Sequence, residues 1–148
     1  MDVKKILSQL PYSDPFLFVD NITQVDENCL FGYYTFPPES FFYKGHFKDN
    51  PVTPGVILTE CMAQIGLVCF GIFLLNKEHS EAKNHQIALS SSEVEFFKPV
   101  FPGETVKVAS QKKYFRFNKL KCDVEMFNAE DELVCKGTIA GMMKVSSE

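Results

Sequence analysis

The run Val56–Leu75 is nearly all apolar, and Glu60 and Gln64 are its two long polar side chains. A stretch of about twenty residues that is apolar all round is either a membrane span or the buried helix of a folded domain. Glu60 and Gln64 stand four residues apart, hence on one helical face. A carboxylate within a hydrocarbon span is costly, and no basic cluster flanks this run to orient it across a bilayer. The run therefore predicts a core helix, and a helix this apolar needs a sheet curved around it.

With 148 residues the chain suits one domain, 1–148, with a real core. Fifteen phenylalanines and no tryptophan point to an apolar interior, and the net charge of −4 gives no reason to expect nucleic acid as a partner. The N-terminal residues have too short an apolar stretch for a secretory signal. Five scattered cysteines without a CxxC pair read as reduced thiols of a cytoplasmic protein. No membrane partner is expected.

Val3–Leu10 suits a short amphipathic helix stopped by Pro11. Phe16–Val25 and Cys29–Phe36 are rich in β-branched and aromatic residues around Asp26, Glu27 and Asn28, which predicts a hairpin. Five residues, Pro37, Pro38, Gly45, Pro51 and Pro54, make the next stretch mostly irregular. Thr53 is the expected cap of the long helix and Pro54 its first residue, with the helix ending near Asn76. Beyond the polar stretch 76–85 the period becomes alternating: Gln86–Phe97, Thr105–Phe117, a strand through Leu120–Met126 and another from Leu133 predict a four-stranded antiparallel meander.

The chemistry centres on His46, in a Gly/Pro-rich turn, and Glu60. Burial disfavours the charged form of a carboxylate, which suits it to acid catalysis. Between the two lies the helix start at Gly55, whose free N–H groups favour developing negative charge. Base, oxyanion donor and acid together suit removal of a proton next to a carbonyl and expulsion of a β-substituent. A metal site is not expected: His46, His79 and His85 lack ligand spacing, and His79 and His85 fall in the polar stretch.

These residues resemble the FabZ type of β-hydroxyacyl-acyl-carrier-protein dehydratases. The likeness runs along nearly the whole chain, through LPYSDPFLFVD, FFYKGHF, the PV–PG approach to a Glu-containing helix ending in AQ, and VEFFKPVFPGETV. It implies an α+β hot-dog domain, an antiparallel sheet wrapped around the Pro54–Leu75 helix, and reversible dehydration without a cofactor. By the same resemblance His46 is the base, Glu60 the acid, the Gly55 N–H the donor to the thioester carbonyl and the Val52 carbonyl the group that orients His46. Gln64 of the AQ pair is placed with the substrate-binding residues. The expected assembly is a homodimer, alone or within a trimer of dimers, with His46 of one subunit facing Glu60 of the other. Glutamate rather than aspartate at 60 favours the dehydratase over the FabA-type dehydratase/isomerase.

The chain departs from the family at Tyr12, Ser13, Lys48 and Thr53, where the family usually has His, Arg, Pro and Met. These departures point to a specialised pathway, such as pigment or polyketide synthesis, as an alternative to housekeeping fatty-acid synthesis. Two rivals stand beside the dehydratase: a hot-dog acyl thioesterase, and a non-catalytic acyl-binding subunit. Retention of both His46 and Glu60 speaks against each. Finally, Lys107, Lys112, Lys113, Arg116, Lys119 and Lys121 form a basic run without an acidic residue between Thr105 and Cys122. It reads either as a solvated strand face or, through Lys112, Lys113 and Arg116, as a docking patch for an acidic acyl carrier protein.

Overall fold

The structure, a computed structural model, describes residues 2–78 and 84–146. A six-stranded antiparallel sheet in the order β1-β2-β4-β5-β6-β3 wraps one long helix, as the apolar run requires. The strands are β1 (Asn21–Val25), β2 (Cys29–Thr35), β3 (Asn84–Phe96), β4 (Thr105–Arg116), β5 (Lys119–Phe127) and β6 (Leu133–Ser146). Helix α1 (Val3–Ser8) is capped by the Asp2 carboxylate, which accepts from the Lys5 N–H.

The long helix α2 runs Gly55–Glu78, with 72% of its most apolar window buried inside the protein. It is the one helix among the described residues long and apolar enough to cross a membrane, and the sheet occupies the place that lipid would take. Its middle, Gln64–Cys69, widens into a π-helical turn between α-helical halves. Ser110 on β4, itself buried, donates to the Gly66 carbonyl at 2.8 Å within that turn. A π turn breaks the regular ladder, so such a carbonyl needs an outside donor. Gly66 is also a point of close approach between helix and sheet: a Cβ there would lie 3.0 Å from Val124.

Inward residues alternate as expected along β5, with Leu120, Cys122, Val124 and Met126 all buried. The β5–β6 turn is tied by Asn128, whose side-chain oxygen accepts from the Glu130 and Glu132 N–H groups. The expected meander is only partly present. Strands β4, β5 and β6 are consecutive neighbours, whereas β3 pairs with β6 at the sheet's far edge and β4 pairs with β2. The segment between β3 and β4 explains the difference. Instead of turning tightly it crosses the sheet end: the Gly103 N–H bonds the Phe36 carbonyl, the Phe36 N–H bonds the Glu104 carbonyl, and the Thr53 N–H bonds the Val100 carbonyl. The crossing delivers β4 beside β2, where the Thr35 and Thr105 hydroxyls meet at 2.7 Å.

Three smaller expectations also change. The first hairpin begins at Asn21, because the backbone at Phe16 and Phe18 is taken up by the helix residue Gln64. The helix continues to Glu78. Its cap position is Pro54, and the Thr53 side chain is bonded elsewhere. His79 falls outside the described residues, while His85 lies in the backbone of β3 opposite Val145.

Candidate active site

His46 sits in the loop that joins a 3-10 turn, Phe41–Lys44, to α2. The loop folds back on itself. The His46 N–H bonds the Phe42 carbonyl at 3.1 Å, and the Val52 N–H bonds the His46 carbonyl at 2.8 Å. Nδ1 of the imidazole lies 2.9 Å from the Val52 carbonyl oxygen. A carbonyl only accepts, so Nδ1 carries a proton, and Nε2 of the neutral ring is left with its lone pair. The ring stacks on Phe47 with centroids 4.1 Å apart. The loop therefore fixes the tautomer and the plane of the imidazole.

The ring opens onto the start of α2. His46, Val52, Gly55, Leu58, Phe96 and Phe97 line a cavity of about 400 Å³. Gly55 is the first helical residue, and the bonds to the Pro54 carbonyl begin at Ile57 and Leu58. The first N–H groups of a helix have no partner within it, so the Gly55 N–H is available where the dipole favours an anion. The ring of Phe96 lies against this glycine: a Cβ at position 55 would be 3.2 Å from it.

Glu60 is elsewhere. At about 100° per residue it lies about 160° around the helix from Leu58, which lines the His46 cavity. Half-buried, it accepts a hydrogen bond from Gln64 Nε2 at 3.0 Å. Tyr12 is close enough that the Glu60 charge adds to burial in pushing its phenol up to about 12. One chain thus brings together His46, Val52 and Gly55, and turns Glu60 to the opposite face of the helix.

Gln64 is fully buried, and its amide is fully used. Its oxygen accepts from the Phe18 N–H at 2.8 Å, which fixes the amide's orientation, and its nitrogen donates to the Phe16 carbonyl and to Glu60. It ties the segment before β1 to the helix and holds the Glu60 carboxylate.

Apart from Lys107, the basic run lies toward the other end of the sheet. Phe96 is opposite Cys135, Cys135 opposite Met126, and Met126 opposite Val108. Arg116 is eight residues beyond Val108, or roughly 25 Å along the strand. The cations are partly engaged: Lys107 pairs with Asp131, Lys113 lies 3.6 Å from Asp123, and Arg116 stacks over Tyr114 at 4.4 Å. The cross-strand partner Asp123 is invisible to a count along β4 alone.

Two features of the site had weak sequence signals. Phe96 and Phe97 become cavity walls because the crossing segment brings the end of β3 to the helix start. The buried Tyr43 hydroxyl meets that of Thr53 at 2.6 Å. Only a hydroxyl residue at each root of the loop hints at that bond.

Comparison with known proteins identifies the family of the chain. The family model of the FabA-like domain matches residues 10–140. The 3-hydroxyacyl-[acyl-carrier-protein] dehydratase FabZ of Acinetobacter baylyi is 33% identical over 111 residues, 75% of this chain and 74% of that protein. The FabZ dehydratase of Anaplasma phagocytophilum is 31% identical over 144 residues, 97% of each chain. Among solved structures, the dehydratase heterocomplex ApeI:P from Xenorhabdus doucetiae matches with a TM-score of 0.78 at 15% identity, over 94% of this chain and 90% of that one. A thioesterase from Haemophilus influenzae matches with a TM-score of 0.62 at 13% identity, over 86% of this chain and 80% of that one. The last two share the fold alone. The matched family model and the relatives that cover most of this chain carry the assignment: the chain belongs to the FabA-like family, as a dehydratase of the FabZ type with the hot-dog fold.

Proposed function

We propose that this dehydratase removes water from β-hydroxyacyl thioesters of acyl carrier protein at sites made by two copies of the chain. His46 of one subunit takes the α-proton on Nε2. The Gly55 N–H meets the thioester oxygen as negative charge builds on it. Glu60 of the partner subunit, in its acid form, gives a proton to the β-hydroxyl, which leaves as water. The enzyme is then left with a protonated imidazole and a carboxylate, and one proton transfer restores both. Only proton transfers are required, so the chemistry needs no cofactor.

The observation that carries this reading is the separation of His46 and Glu60 by the helix. The cavity holds a base and an oxyanion donor, and its acid faces the other way. A second chain related by a two-fold axis supplies the missing carboxylate and receives one in return. The long edge strand β3 is suited to that contact. Its half-exposed Leu89 and Phe96, with Phe97 just beyond it, form an apolar edge of the kind that pairs with another strand. Antiparallel pairing there turns the basic β4–β5 end of one chain toward the Phe96 end of its partner. Lys112, Lys113 and Arg116 are then placed to receive an acidic carrier protein. Five free thiols, four of them buried, suit a reducing compartment, and we place the enzyme in the cytoplasm.

The test is to give purified protein a β-hydroxyacyl thioester and follow absorbance of the conjugated enoyl product together with free thiol. Enoyl formation without thiol release supports the dehydratase. Thiol release without enoyl product is the thioesterase outcome and overturns it.

A further inference from the structure

The loop that carries His46 begins after Tyr43 and ends at Thr53, and these two residues close it. Their hydroxyls lie 2.6 Å apart, with Tyr43 6% and Thr53 4% exposed. Inside this closure the contacts run in series. The His46 N–H holds the Phe42 carbonyl, the residue before Tyr43, and the Val52 backbone, the residue before Thr53, holds both the His46 carbonyl and its Nδ1. At the far side the Thr53 N–H bonds the Val100 carbonyl of the segment that follows Phe96 and Phe97. Gly55 is two residues after Thr53. The separation between the His46 ring and the Gly55 N–H is therefore set by a loop whose two roots are joined by this hydroxyl pair.

The bond is well suited to that task. A buried hydroxyl left without a partner is costly, so each favours the geometry that keeps the other in reach. Burial also holds the Tyr43 phenol above its ordinary value, so it remains a donor through the neutral range.

We propose that Tyr43 and Thr53 are positioning residues for the dehydration, which hold His46 at working distance from the Gly55 N–H by fastening the two roots of its loop. The inference rests on His46 being the catalytic base. Neither hydroxyl touches the reacting atoms in this account. Losing the bond lets the loop spread, and because valine keeps the bulk of Thr53, which itself lines the cavity, kcat falls and KM moves little. A small displacement of a catalytic group is sufficient for a loss of roughly 10- to 100-fold.

The experiment measures kcat and KM for a small β-hydroxyacyl thioester, per mole of folded protein, in Tyr43→Phe, Thr53→Val, Thr53→Ser, the Tyr43→Phe/Thr53→Val pair and His46→Ala. Each single loss of a hydroxyl is expected to lower kcat at nearly constant KM. The pair should be no worse than either single change, because both remove one bond. Thr53→Ser, which keeps the hydroxyl, should restore most of kcat. Wild-type kcat in Tyr43→Phe and Thr53→Val beside an inactive His46→Ala overturns the positioning role alone. Fully additive losses, or a loss that only follows the folded fraction, also overturn it. An active, folded His46→Ala removes the assignment of His46 and this inference with it.

Discussion

The Val52 carbonyl oxygen lies 2.9 Å from Nδ1 of His46, and this one contact decides which nitrogen of the ring keeps its lone pair. Because the carbonyl cannot donate, Nε2 is the basic nitrogen. His46→Ala is accordingly expected to lower turnover by roughly 10²–10⁴-fold while the protein remains folded. Steady-state rates and circular dichroism on the same preparation check both statements. Wild-type turnover in the folded variant contradicts the assignment of the base.

Gly55→Ala places a methyl group 3.2 Å from the Phe96 ring and beside the N–H proposed to meet the thioester oxygen. Turnover should fall with little change in melting temperature. Adding Phe96→Leu relieves the crowding and should return part of the activity. No response of Gly55→Ala to the second change would show that crowding is not the cause of its defect.

Gln64→Leu keeps the volume and removes three hydrogen bonds. The Phe18 N–H is then buried without its acceptor, which costs about 1–3 kcal/mol. Chemical denaturation should show that loss, and turnover should fall as well because Glu60 loses its donor. An unchanged denaturation midpoint contradicts the role given to the amide.

Charge reversal at Lys112, Lys113 and Arg116 should raise KM for carrier-bound substrate and leave a small thioester almost unaffected. The effect should shrink as salt rises. Equal effects on both substrates count against docking at this end of the sheet.

Thiol reagents distinguish the cysteines by burial. Desolvation pushes the Cys61 thiol well above its ordinary value and Cys122 up to about 11, whereas Cys29 is only partly covered. Thiolate is the reacting form, so below the raised values the buried thiols are almost wholly protonated as well as shielded. At pH 8 Cys29 should be labelled first, and the other four at the rate at which the protein opens. Mass mapping of a labelling time course tests the order; simultaneous labelling of Cys61 and Cys29 contradicts it.

Much of the architecture was legible in the sequence because it depends on period. The apolar run gave the helix, and the alternation of Leu120, Cys122, Val124 and Met126 with charged residues gave the inner face of β5. The neighbour of β3 was not legible. Alternation tells which side chains face inward and says nothing of which strand lies alongside. That choice is made by the segment from Phe97 to Glu104, through backbone bonds to Phe36 and Thr53 far away in the chain. The same reason applies to Thr53 itself. Its capping propensity was readable, and the hydroxyl of Tyr43 that takes it instead is a tertiary partner. At the site, the FFYKGHF, PV and PG segments identified residues that the fold gathers, His46, Val52 and Gly55. Glu60 was identifiable by its chemistry, and its direction became clear only when Leu58 was seen to line the cavity.

The shared site is tested most directly by co-expressing His46→Ala and Glu60→Gln chains at equal levels. Random pairing makes about half the dimers mixed. In a mixed dimer one site carries both lesions and the other carries neither, so the preparation should regain about a quarter of wild-type activity although each variant alone is nearly inactive. With mixed dimers verified by mass spectrometry, activity no higher than that of the single variants would mean that each site draws His46 and Glu60 from one chain, and would contradict the account.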